Sequence, residues 1–67
     1  MDERLDYSGM TVNERLYAAG LLDQWDRAAK SGDRKTMIEL LTKVQLVESD
    51  AAWTADTILA NPAKYGF

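Results

Sequence analysis

The chain contains no cysteine and no histidine. These are the side chains most used for metal ligation, for redox chemistry and for proton transfer near neutral pH. Their absence removes a disulfide framework, a cysteine-based zinc site and every Ser–His or Cys–His nucleophile pair. The glycines, at 9, 20, 32 and 66, are scattered and make no phosphate-binding loop. No EF-hand pattern, internal repeat or low-complexity tract is present. Nor is there a run of about 18 apolar residues of the kind that spans a bilayer. The start, Met1-Asp2-Glu3-Arg4-Leu5-Asp6, is too acidic for a secretory signal, which makes a cytoplasmic protein the expectation.

What remains is a small, mildly acidic chain of 67 residues and net charge -3, with a 46% hydrophobic and a 28% charged fraction. One domain is the most it can form. A domain of this size buries only about 60% of the surface its unfolded chain exposes, so stability must come from helix packing, a partner or self-association. Two Trp, three Tyr and one Phe argue against intrinsic disorder. The charge is unevenly spread: residues 1–26 carry six acids and two bases, 27–35 four bases and one acid, and 36–67 four acids and two bases.

The hydrophobic pattern predicts an all-α fold: a small three-helix bundle at residues 11–67, preceded by an N-terminal arm at 1–10 that shows no clear period. Thr11-Val12-Asn13-Glu14 has the spacing of a capping box, with Asn13 as a competing cap. A first helix is expected at about 12–30. Tyr17, Ala18, Leu21, Leu22, Trp25, Ala28 and Ala29 fall on one wide face of it, and Gly32 stops it. Asp33 then caps a second helix at about 34–45, with Met37, Leu40, Leu41 and Val44 as its stripe and Ile38 on the flank. The short turn between them makes an antiparallel helical hairpin. A third helix, about 50–60 with Ser49 as its cap, presents Ala51, Ala52, Ala55, Ile58 and Leu59 on one side. It ends before Pro62, because the residue preceding a proline is pushed out of the α region. Leu21, Leu22, Trp25, Leu41 and Ile58 are expected to be buried together.

Three features are candidates for function. On the first helix, Val12, Leu16, Ala19 and Gly20 form an apolar strip away from the main core face. A glycine inside a helix costs roughly 1 kcal/mol relative to alanine, which makes sense where another backbone approaches. The arm, the third helix or a second copy of the chain could fill that strip; filling within the monomer is favoured. The second feature is the tail, residues 61–67. Trp53 lies roughly opposite Ala51, Ala55 and Ile58, and the preferred arrangement has Tyr65 and Phe67 folding back to cover it. An exposed Trp53 would instead be a partner anchor, since Trp is enriched at binding hot spots. Val12, Leu16, Gly20, Trp53, Tyr65 and Phe67 are therefore the candidate partner-binding residues. The third feature is the basic cluster Arg27, Lys30, Arg34 and Lys35 around the first helix–helix turn. Arg27 and Lys30 complement a helix C-terminus, whereas Arg34 and Lys35 oppose an N-terminus and are not explained by the dipole.

Catalysis is not expected. Asp23 and Asp26, i and i+3 on the first helix, read as solvated surface charges, and no serine or threonine has a base at a recognisable spacing. No cofactor and no metal is implied. A helix-turn-helix reading would aim Asp50 and Asp56 at phosphates, which disfavours nucleic acid.

Two stretches, Val12-Asn13-Glu14-Arg15-Leu16 through Ala19-Gly20-Leu21-Leu22 and Asn61-Pro62-Ala63-Lys64-Tyr65-Gly66-Phe67, resemble those of short uncharacterised bacterial helical proteins. Those proteins open with an NERL…AGLL helix and close with NPxxYGF. The resemblance covers residues 11–67 and implies a bacterial, cytosolic origin but no activity. The expected function is that of a small non-catalytic interaction or accessory protein, of the physical class of antitoxins, immunity proteins and inhibitors. It would bind a protein partner or itself. The alternative is a nucleic-acid-associated regulator using residues 27–35.

Overall fold

The computed structural model describes residues 9–67; the arm expected at 1–10 lies outside them except for Gly9 and Met10. Within these residues the chain forms four α-helices, α1 (Val12–Ala18), α2 (Leu22–Ser31), α3 (Arg34–Lys43) and α4 (Glu48–Ala60), then a 3-10 turn at Pro62–Tyr65. The fold is the small all-α bundle expected, with one correction: the single helix expected at about 12–30 is two.

The reason for the break lies in the apolar pattern. At 100° per residue, Val12, Leu16 and Ala19 point about a third of a turn away from Leu22, Trp25 and Ala29. A straight helix could bury only one of those strips. The chain instead turns at Gly20, which takes φ +74°. The Gly20 N–H donates to the Tyr17 carbonyl at 3.0 Å and the Leu21 N–H to the Leu16 carbonyl at 2.8 Å. This is the paired bonding of a Schellman helix end. Both strips then reach one core: Leu16 is fully buried, and Val12, Ala19, Leu21 and Leu22 pack against the buried cluster. Tyr17 and Ala18, expected on the core face, are exposed.

The same bonding closes the other corners. Asp33 N–H donates to Ala28, Leu46 to Leu41, and Phe67 to Pro62, each across five residues. At the α3–α4 corner the left-handed position is held by Gln45, at φ +72°, a conformation that costs a residue with a Cβ about 1–2 kcal/mol. Leu46, the next residue, packs on the core and offsets that cost.

Helix starts divide into two kinds. Thr11 and Glu14 form the expected capping box: Glu14 N–H donates to Thr11 Oγ1 at 3.2 Å, and Thr11 N–H to Glu14 Oε1 at 2.8 Å. Asp33 caps α3, accepting from Thr36 N–H at 3.2 Å and from its hydroxyl at 2.7 Å. By contrast, α2 and α4 follow Leu21 and Val47, which offer no side-chain cap. Ser49, expected to cap the last helix, lies inside its first turn with Glu48 and Asp50, whose charges suit the N-terminal dipole.

The core gathers Leu16, Trp25, Ala28, Ala29, Met37, Leu40, Leu41, Val44, Ala51, Ala55 and Ile58, and every fully buried side chain among the described residues is apolar. Of the five residues expected at its centre, Trp25, Leu41 and Ile58 are buried, while Leu21 and Leu22 are partly covered at its margin. Helix α3 packs chiefly on α4, where Ala51 and Ala55 are 0% exposed; small side chains there let the two helices approach closely. Arg15 fastens α1 to the end of α3, donating to the Val44 carbonyl at 3.1 Å and to the Met10 carbonyl at 3.3 Å.

Candidate functional site

The same break that turns Leu16 inward leaves a cleft between the start of α1 and the outer side of α4. Its walls are Thr11, Val12 and Asn13 from α1, Leu22, Trp25 and Asp26 from α2, Trp53, Thr54, Thr57 and Ile58 from α4, and Tyr65, Gly66 and Phe67 from the tail. The groove is open to solvent and encloses about 620 Å³, within the range of pockets that hold several apolar groups. Trp25 and Ile58 belong to the core and line only its depth. Phe67 is partly buried against that core, and the exposed rings of Trp53 (69%) and Tyr65 (41%) stand at the rim.

Each wall has a local cause. Asn61 takes an extended conformation before Pro62, as the X-Pro rule requires, and the 3-10 turn that follows reverses the chain. Gly66, at φ +89°, lets the Phe67 N–H reach back to the Pro62 carbonyl at 3.0 Å. The tail thus folds back as expected, but it does not cover Trp53: Phe67 goes to the core and the indole remains exposed. On α4, Thr54 and Thr57 share the side of Trp53, and the Thr57 hydroxyl donates to the Trp53 carbonyl at 2.7 Å. On the far side of Trp53 a second groove of about 450 Å³ is lined by Val12, Arg15, Leu46, Val47 and Asp50, among others. Trp53 is therefore a ridge between two clefts.

The structure brings together four of the six expected partner residues. Val12, Trp53, Tyr65 and Phe67 line the larger groove. Leu16 does not; it is 0% exposed and belongs to the core, because the strip it shares with Val12 and Ala19 is the inward face of α1. Gly20 does not either. It is exposed at a helix end rather than inside a helix, and a Cβ built on it would meet nothing within 4 Å, so its role is the backbone turn and not a close approach. Sequence reasoning missed Thr11, Asn13, Asp26, Thr54 and Thr57 as groove residues. The spacing of Thr54 and Thr57 from Trp53 on one helix was the available signal.

Of the carboxylates weighed for acid–base work, Asp23 is exposed away from the groove and Asp26, half-buried, lines it. Among the described residues no cluster of acidic side chains is placed to hold a metal ion.

Arg27, Lys30, Arg34 and Lys35 are all exposed around the α2–α3 turn. Arg34 is engaged across to α4: its Nε lies 2.6 Å from Asp56 Oδ1 and its Nη2 3.3 Å from Oδ2. This hydrogen-bonded pair lowers the Asp56 carboxyl pKa and raises that of the guanidinium. No described helix is long and apolar enough to cross a membrane.

No protein-family model, curated protein or solved structure matches the chain.

Proposed function

We propose that this chain is a small non-catalytic accessory protein of the bacterial cytoplasm that acts by docking a partner protein in the groove between α1, α4 and the tail. The observation that carries this reading is Trp53. An indole 69% exposed, on the rim of an open apolar cleft and beside a half-exposed Tyr65, is a poor choice for solubility and a good one for a binding anchor. Helix α4 adds to it. Its apolar residues are spread around its circumference, a pattern expected of a helix covered on more than one side. Among the described residues, the buried side of this helix is the one that carries Ala51, Ala55 and Ile58.

The docked element is best read as a helix. The groove is built from helices and a short turn whose backbone groups bond locally, and the described residues offer no strand edge with which an extended peptide could pair. A helix brings its own backbone hydrogen bonds and contributes side chains alone. Such docking would place the chain in the antitoxin-, immunity- or inhibitor-like class. The nucleic-acid alternative has less support, because Arg34 is already engaged by Asp56 and the remaining cluster has no exposed aromatic residue beside it in sequence.

Photocrosslinking tests the reading. A benzophenone side chain at Thr57, in the groove, is expected to give a saturable adduct with one protein in the native cytosol. The same group at Lys35, on α3, should not. Excess unlabelled chain should suppress the adduct and the Trp53→Ala variant should not. Adducts of equal yield from both positions, or equal suppression by the variant, would remove the groove as the docking surface.

A further inference from the structure

The groove also has a chemical bias that narrows its occupant. Four of the six aromatic residues of the chain, Trp25, Trp53, Tyr65 and Phe67, converge on it. Among the described residues that line it, the one charged side chain is Asp26, and none is Lys or Arg. Aromatic faces present negative potential, and a cation within about 6 Å of a ring centroid is attracted to it. The chain itself supplies an instance at the rim, where Lys64 Nζ lies 5.8 Å from the centroid of the Tyr65 ring. An anion entering here would meet ring faces and a carboxylate; an alkylammonium group would meet Asp26 on the α2 wall and Trp53 on the α4 wall, on the side away from Lys64. The net charge of -3 draws a basic partner from a distance.

We infer that the groove receives an amphipathic helix that presents a lysine-type cation next to its apolar anchors, with the alkyl stem against Trp53 and the ammonium towards Asp26. This rests on the docking reading above and adds the chemistry of the partner. A second copy of the chain fits less well. Its basic cluster at Arg27, Lys30, Arg34 and Lys35 has none of the exposed large apolar residues (Tyr17, Val47, Trp53 and Tyr65) beside it in sequence. That cluster offers charge without an anchor, and a second copy carries the same net charge of -3, which opposes self-association.

The test uses the full chain and two fluorescein-labelled model helices of about 15 residues, long enough to be stabilised as helices. They are identical in their leucine anchors and differ at one flanking position, lysine in one and the uncharged norleucine in the other. Anisotropy titration is expected to show the lysine peptide binding about tenfold more tightly, the size of a partly desolvated cation–π contact with an added ion pair. Asp26→Asn and Trp53→Ala, each checked for an unchanged melt, should each shrink that preference, and Trp53→Phe should restore part of it. Equal binding of the two peptides overturns the cation inference while leaving helix docking intact. A lysine preference that survives both variants overturns it too, since attraction to an acidic chain at large would then suffice. Binding of neither peptide overturns it, as does a self-association broken by Trp53→Ala, which would assign the groove to a second copy. The photocrosslinking result does not depend on any of these outcomes.

Discussion

Helix α4 has two sides with opposite fates. On one side it presents Ala51 and Ala55, both 0% exposed, to the core that it shares with the buried α3 stripe of Met37, Leu40, Leu41 and Val44. Towards α1 and the tail it presents Trp53, Thr54 and Thr57 over an open groove, with the largest of these side chains mostly in solvent. The closed side is made from small residues facing large ones, which fill space without voids. The open side has a large residue that the described residues leave mostly uncovered. Stability is thus concentrated on one side of the helix and the proposed docking surface lies on the other, so substitutions should separate the two.

The largest effect is expected on the closed side. Leu41 is fully buried between helices, and its truncation to alanine should cost about 2–5 kcal/mol. The whole stability of a domain this small is about 3–10 kcal/mol. A thermal or urea melt of Leu41→Ala should show a chain largely unfolded or close to it; a near-native cooperative transition would mean that the closed side does not hold the fold.

The two corners give a smaller and opposite pair of changes. Gly20 lies at the corner that sets the α1 wall of the groove, and Gln45 at the corner that joins α3 to α4; both have positive φ. Gly20→Ala places a Cβ in the left-handed region and should destabilise by about 1 kcal/mol through the backbone alone, as the space around it is empty. Gln45→Gly relieves the same strain and, after the extra chain entropy of glycine, should stabilise by about 0.5 kcal/mol. Chemical denaturation of the two variants compares them directly. A loss of stability in Gln45→Gly would show that the Gln45 side chain contributes something beyond its backbone position.

Acid probes both sides at once. Asp56, paired with Arg34, ties α4 to α3. Glu14, held by the backbone and hydroxyl of Thr11, caps the helix that walls the groove, and Asp33, bonded to Thr36, caps α3. Each of these carboxyls has its pKa lowered in the folded chain, Glu14 by the Thr11 backbone N–H first and Asp33 by the Thr36 hydroxyl first. The folded state therefore binds fewer protons than the unfolded one in the acid range. The stability these groups contribute is fully present above the ordinary carboxylate range, and is lost as pH falls through their lowered folded values. Melting temperature should be nearly level from about pH 6 to 8, with no histidine to titrate, and should decline below about pH 4.5. Asp56→Asn and Glu14→Gln should each flatten part of that decline; an unchanged acid limb in both would mean the caps and the pair are not coupled to folding.

The smallest effect on stability is expected at the open side. Trp53→Ala removes a side chain 69% exposed and should shift stability by no more than about 0.5 kcal/mol, while abolishing partner engagement. A loss of several kcal/mol would show that Trp53 supports the fold, and the contrast between the two sides of α4 would fail.

The sequence by itself determined the helical class, the capping box at Thr11–Glu14, the Asp33 cap, the stripe of α3, the small-residue face of α4 and the stop before Pro62. These are set within one or two turns of helix, by periodicity and by backbone chemistry that needs no distant partner. The break at Gly20 was also written in the chain, as two apolar strips about a third of a turn apart, with glycine and then leucine between them. Local preference alone, however, does not choose between one long helix and two short ones. The tertiary structure decided it, because only a turn at Gly20 buries Leu16 and Trp25 in the same core. It likewise decided that Gln45 takes a left-handed conformation that its side chain disfavours, because the bend puts Leu46 on the core. Finally, it decided that the tail packs Phe67 partly against the core and leaves Trp53 mostly exposed. The hydrogen bond from the Phe67 N–H to the Pro62 carbonyl closes the turn that returns the chain, and Phe67 rather than Trp53 is the ring that packs against the core.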